Sequence, residues 1–299
     1  MATNCRILSL GDSVIWGQGL LPKEKFDYLV QQALTSKYSG GATLESHAHS
    51  GAVIGAHGAK GKPEPGEVPA SRLSIIEQCA AYSNAPETIN LVLIDGGIND
   101  VGVSTILNPV NPPLDHAIVS ACHDGMLTLL KKVAAKFSAP SCKILVTGYY
   151  PIFSPKSNPL GVIKMLGLYG IGKPDFIVDD ADFINPVVDR CEQFFKQSAT
   201  QLMQAVQDAG DGRITLVRSG FTDENAVFVP RTSLLWGLGL SAGLKPEDPV
   251  AAQRRPLCDI AHGGPFQLPA RELCYRASAG HPNVQGAVQF SRQILKTLS

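Results

Sequence analysis

Two hydrophobic periods alternate along the chain. Short apolar runs at Arg6–Leu10, Thr43–Ala48, Ile89–Ile94, Lys143–Thr147 and Arg213–Val217 predict strands. Between and after them, apolar residues recur at helical spacing over Lys23–Lys37, Ser71–Ser83, Leu114–Phe137, Pro186–Ala209 and Val284–Leu298. Strand and helix alternating in this way predict a parallel sheet covered on both faces. The near-continuous apolar runs "NLVLIDGG" and "KILVTGYY" suit central strands, buried on both sides. Two stretches break the rhythm: Ser154–Asn185, which mixes Pro and Gly with large apolar residues, and Phe221–Ser278, which carries "LLWGLGLSAGLKPEDPV". Both follow late strands, on the side where open α/β sheets bind ligands, and read as walls or lids over a site. No internal repeat or linker divides the chain, so residues 1–299 are expected to form one domain.

Composition narrows the function classes. Of 299 residues, 44% are hydrophobic and only 17% charged, which fits a buried globular core. Lys plus Arg balance Asp plus Glu at 26 each, and no basic stripe or like-charge run is present, which argues against nucleic acid as partner. No apolar run approaches the length of a membrane span. The first strand begins within about five residues of Met1, which leaves no room for a secretory leader in this sequence, so a cytoplasmic location is expected unless a leader has been removed. The seven cysteines include no C-x-x-C pair, leaving zinc and thioredoxin chemistry unsupported. Cys5, Cys79, Cys122 and Cys142 lie in apolar segments and read as core; Cys258 and Cys274 could pair, which is uncommon in a cytosolic protein.

Candidate chemistry gathers at four places at or after the predicted strands and before the last helix. These are "GDS" at 11–13, "HSG" at 49–51, "GGIND" at 96–100 and "GHPN" at 280–283. Each is weak alone. In this order and on these elements they resemble the SGNH (GDSL) hydrolase family, over the whole chain. The resemblance implies a flavodoxin-like three-layer α/β/α sandwich with strand order 2-1-3-4-5. It also implies Ser13 as nucleophile, His281 as base, and an oxyanion hole formed by Ser13, Gly51 and Asn99. Elementary chemistry agrees: in that order the first strand neighbours the second and third, so the loops holding Ser13, Gly51 and Asn99 converge. A serine hydroxyl needs a base to take its proton, and imidazole suits that task. Two backbone N–H groups and an amide can stabilise the charge that acyl transfer develops on a carbonyl oxygen.

One position departs from the family pattern. An Asp normally stands three residues before the histidine, and here Ser278 occupies that place. A Ser13–His281 dyad oriented by a backbone carbonyl or by Ser278 is expected, with Asp223, Asp248 or Asp259 as rival orienting acids. A second serine, Ser241 in "GLSAG", fits G-x-S-x-G, but Lys245-Pro246 and Asp248-Pro249 follow it and prevent a strand-to-helix elbow there. His47 and His49 alternate on the second strand without an evident carboxylate or Cys partner and read as structural. His57, His116, His123 and His262 have no informative spacing. Dinucleotide and P-loop patterns are absent.

The expected activity is hydrolysis of carboxylic esters through an acyl-enzyme on Ser13. The apolar Leu160–Ile171 and Leu234–Leu244 tilt the substrate toward hydrophobic or acyl esters. No cofactor or metal is called for, and the partner is a small-molecule ester. An acyltransferase using the same site, or a decayed site now used for binding, are the alternatives.

Overall fold

In the computed structural model, which describes residues 4–56, 73–175, 177–238, 248–262, 264 and 268–299, five strands form one parallel sheet. They are β1 (Cys5–Leu10), β2 (Ala42–Ser46), β3 (Leu91–Ile94), β4 (Lys143–Thr147) and β5 (Ile214–Val217), in the order β2-β1-β3-β4-β5. Helices flank the sheet, so the expected helix–sheet–helix sandwich is the observed one. Register puts Ser9 of β1 beside Ser46 on one side and Leu93 on the other, so the three chains leave the sheet edge together.

Burial explains the sheet's composition. All four residues of β3 are at most 2% exposed, and β4 is buried beyond Lys143. Fully burying each such aliphatic side chain contributes about 1.5–3 kcal/mol. On one side, helices Phe26–Thr35 and Val284–Leu298 pack together, with the Phe26 and Phe290 rings stacked at 5.2 Å. On the other, Ile75–Ala81, Met126–Lys136 and Asp180–Ala209 pack together.

Several boundaries differ from expectation for identifiable reasons. The helix expected from Pro186 begins at Asp180, because the Asp179 carboxylate caps the Ala181 N–H at 2.9 Å; Pro186 sits inside it. The segment Leu114–Phe137 carries a π-helical turn at Val119–Gly125, which helical spacing alone does not reveal. Both interruptions, expected as irregular loops, contain helices: Pro159–Leu168 in the first, Ala251–Ala261 and Leu268–Tyr275 in the second. Asn158 as cap with Pro159 at the first helical position is a legible start signal for the first of them. Cys258 and Cys274 are joined by a disulfide that ties the two helices of the second interruption. Ser241, His57 and residues 239–244 of the apolar segment lie outside the described residues.

Candidate active site

The first strand delivers Ser13 through one sharp turn. Gly11 has φ +156°, and a Cβ there would lie 1.9 Å from Asp95 Oδ1, so only glycine allows β1 to pass that carboxyl. Asp12 then caps the short helix Ser13–Trp16 by accepting from the Val14 N–H at 2.9 Å. Its second oxygen accepts from the Tyr149 hydroxyl at 3.0 Å. Tyr149, at the end of β4, also accepts from the Ile98 N–H at 2.9 Å. One phenol therefore ties the loop holding Ser13 to the helix Ile98–Val101 that holds Asn99.

Asp95 completes this floor. Its two oxygens accept from the Asp12 N–H at 2.7 Å and the Ile15 N–H at 3.1 Å. Asp12 and Asp95 are 0% and 1% exposed. Burial first, and then the neighbouring Asp12 charge, push the Asp95 carboxyl well above its usual range. Asp12 is raised too, by burial, with its hydrogen bonds opposing. Two carboxyls this close and this dry do not both ionise readily.

Gly51 and Asn99 arrive from the neighbouring strands. Gly51 adopts φ +73°, in the left-handed region. Asn99 Nδ2 donates to the Ala52 carbonyl at 3.0 Å, which fixes the amide and leaves its second N–H free to point elsewhere. Neither the Ser13 nor the Gly51 backbone N–H has an acceptor among the described residues. Ser13, Gly51, Asn99 and His281 line one cavity of about 90 Å³, with Val103, Ile152, Met165, Leu168, Tyr169 and Leu273 forming much of its apolar wall. The first interruption supplies Met165 and Leu168, and the second supplies Leu273.

His281 is brought in by a short antiparallel pairing. Trp236 N–H donates to the His281 carbonyl at 2.8 Å, and Gly280 N–H returns to the Trp236 carbonyl at 2.8 Å. Nε2 of His281 meets Ser13 Oγ at 2.8 Å, across 268 positions of sequence. Nδ1 is enclosed and makes no hydrogen bond of good geometry, although the Ser278, Ala279 and Ala277 carbonyls lie near it and favour a proton there. Burial outweighs them and lowers the imidazole from 6.5 to about 4, with the Arg254 charge adding in the same direction.

None of the three candidate acids reaches this ring. Asp223 and Asp259 are exposed, and Asp259 accepts from the Tyr275 hydroxyl. Asp248 is buried, paired with Arg254 at 2.5 Å, and accepts from Ser278 Oγ at 2.6 Å. Ser278 is thereby turned away from His281 by a different partner. His49 bonds to the Leu73 and Ser50 carbonyls, as a structural residue does. His47 does have a carboxylate, Glu45, at 2.8 Å, which the alternation of the strand did not disclose. His123 bridges Asp124 and Asp208 and does not line the cavity. Among the described residues no group of three His, Cys, Asp or Glu is placed to hold a metal, and no helix is long and apolar enough to cross a membrane.

Sequence reasoning passed over Tyr149 and Asp95, and read the Trp236 segment as a wall without its pairing to His281. Tyr149 and Asp95 stand at the ends of predicted strands, where partners from other strands converge, and that position was the available signal.

No family model matches the chain, and no curated protein matches it in sequence. Solved structures do. An extracellular lipase from Streptomyces rimosus superposes with a TM-score of 0.52 at 16% identity, over 99% of this chain and 100% of that one. Phospholipase A1 from Streptomyces albidoflavus superposes with a TM-score of 0.55 at 13% identity, over 99% of each chain. From end to end, then, the chain is built on the fold of the SGNH (GDSL) lipases and esterases.

Proposed function

We propose that the chain is a serine hydrolase of carboxylic esters, working through an acyl-enzyme on Ser13. The observation that carries this reading is the 2.8 Å approach of Ser13 Oγ to His281 Nε2 at the mouth of the cavity. For Nε2 to accept the hydroxyl proton, the ring's own proton sits on Nδ1, the nitrogen facing the 277–279 carbonyls.

Ser13 Oγ attacks the ester carbonyl carbon as its proton passes to Nε2. The carbonyl oxygen becomes an oxyanion, met by the Ser13 and Gly51 N–H groups and the Asn99 amide. Collapse of the tetrahedral species breaks the ester C–O bond, and the imidazolium returns its proton to the leaving alcohol. Water, deprotonated by the same nitrogen, then attacks the acyl-enzyme and frees the acid and Ser13. Ile152, Met165 and Leu168 favour an apolar acyl group by removing its surface from water.

Hydrolysis of a p-nitrophenyl ester of short chain, with covalent capture of Ser13 by a serine-directed phosphonate, tests the reading. Turnover that survives Ser13→Ala overturns the assignment of Ser13. Absence of both turnover and adduct overturns the hydrolase and favours a binding module.

A further inference from the structure

Arg276 lies in the wall of the cavity that holds Ser13 and His281 and is 8% exposed. Among the described residues the hydrogen bonds of its guanidinium all leave from Nη1, to the Glu272 carbonyl at 3.0 Å and to the Glu272 carboxylate. Nε is buried and has no partner among the described residues. Glu272 is itself 44% exposed in its side chain, so solvent screens much of its charge.

A guanidinium presents two forks of donors, and the fork that includes Nε matches a carboxylate or a phosphate with paired hydrogen bonds. Here that edge is dry and unspent. Among the described residues lining the cavity, Arg276 is the one side chain that carries charge at neutral pH, because burial keeps His281 neutral. The rest of the wall is apolar or carries uncharged polar groups, and the carboxylate that pairs with Arg276, Glu272, is not among the lining residues. Arg190 spends Nε, Nη1 and Nη2 on the carbonyls of Thr105, Ile106, Asn111 and Pro112, and Arg254, whose Nε is also unpartnered, spends both Nη atoms on the Tyr275 carbonyl and Asp248; Nη2 of Arg276 makes no hydrogen bond among the described residues.

We infer that Arg276 forms an anion subsite within the cavity, so that the preferred ester carries a carboxylate or phosphate elsewhere in the same molecule. The inference rests on the ester-hydrolase reading for what happens to that molecule, but the binding it describes does not. The apolar wall takes the hydrocarbon part, and the unspent donors of Arg276 take the anionic oxygens. An ester lacking the anion leaves the buried donors unpaired, which is how a polar site rejects an analogue.

Two substrate pairs separate the sources of the anion. Mono-p-nitrophenyl glutarate against its methyl ester places a carboxylate on the acyl side. A lysophosphatidic acid against the monoacylglycerol of the same acyl chain places a phosphate on the leaving side. In one pair at least, the anionic member is expected to have a kcat/KM about tenfold higher, and Arg276→Gln to bring the ratio near unity. Arg276→Lys, which keeps the charge without the fork, is expected to restore part of that ratio. A ratio within each protein cancels any loss of folded enzyme.

Binding of hexyl phosphate, hexanoate and hexanol to Ser13→Ala reads the subsite without turnover. The anions are expected to bind about tenfold more tightly than the alcohol, and to lose that margin when Arg276→Gln is added. Neutral esters hydrolysed as fast as their anionic partners, with no preference in binding, overturn the subsite and leave the hydrolase standing. Anion binding without any turnover or Ser13 adduct supports the subsite and removes the hydrolase.

Discussion

Ser278 Oγ donates to the buried Asp248 carboxylate at 2.6 Å and so stands off from His281, although it occupies the place three residues before that histidine. Asp248 is in turn held by Arg254, with side chains 0% and 2% exposed. The network anchors the turn that leads into His281 and delivers no charge to its Nδ1.

The acids therefore separate by what their loss damages. Asp223→Ala and Asp259→Ala are expected to keep most of the wild-type turnover. Asp248→Asn leaves a buried arginine short of its counter-charge and is expected to destabilise the fold by about 3 kcal/mol or more. Its turnover per folded molecule is expected to fall far less than the roughly 10⁴-fold that follows loss of a triad acid. Denaturation curves measured beside active-site titration separate the two; a loss of about 10³-fold per titrated site at any of the three acids would restore that residue as the orienting acid.

The pH profile follows from the enclosed imidazole. A base works only when neutral, and the folded ring is lowered from 6.5 to about 4. Turnover limited by His281 is thus expected to stay level as pH falls from 7 toward 5, and to drop only near about 4. The stability linkage has the matching sign. Below 6.5 the unfolded ring takes up a proton that the folded ring refuses until about 4, so this group's contribution is complete above 6.5 and is lost as pH falls through that window. An acid limb of kcat/KM centred near 6.5 would mean that the ring is solvated.

Asn99→Ala is expected to lower kcat by about 10²–10³-fold, the effect of losing one oxyanion donor, with little change in KM. Asn99→Asp keeps the shape of the side chain but donates neither to the oxyanion nor to the Ala52 carbonyl, so its kcat is expected to fall as well. Equal turnover of wild type and both variants would remove Asn99 from the oxyanion hole.

Tyr149→Phe deletes one hydroxyl that serves both Asp12 and Ile98. Leaving those buried groups unpaired is expected to cost about 1–3 kcal/mol of stability. The variant is also expected to lower kcat, since the loops of Ser13 and Asn99 lose their common tie. Urea unfolding and initial rates measure the two effects; unchanged stability would mean that water replaces the phenol.

The disulfide predicts a thiol count. Under denaturing, non-reducing conditions five cysteines are expected to react with iodoacetamide, and all seven after reduction. Closing this 16-residue separation is worth about 3 kcal/mol in the chain-entropy account, so Cys258→Ser with Cys274→Ser is expected to lower the melting temperature. Such bonds persist in oxidising compartments. Seven reactive thiols without reductant would remove the bond.

Much of the frame was legible because burial leaves a periodic trace. Lys143–Thr147 and Val284–Leu298 match the expected spans residue for residue, since both are long enough or apolar enough to show their period. The helices at Ala251–Ala261 and Leu268–Tyr275 were not legible: Pro256 lies inside the first, where a proline argues against a helix, and the disulfide binds them together where weak apolar patterning does not.

Local chemistry written in the chain determined the sheet, its crossings and the four short segments that hold Ser13, Gly51, Asn99 and His281. Tertiary structure alone decided what each of those groups meets. Gly11 is required by Asp95, Ser278 is claimed by Asp248, and Nε of Arg276 is left without an acceptor in the cavity wall. The reason is physical: periodicity records how much of a residue is buried, whereas a hydrogen bond depends on direction and distance between atoms that the sequence separates by tens to hundreds of positions.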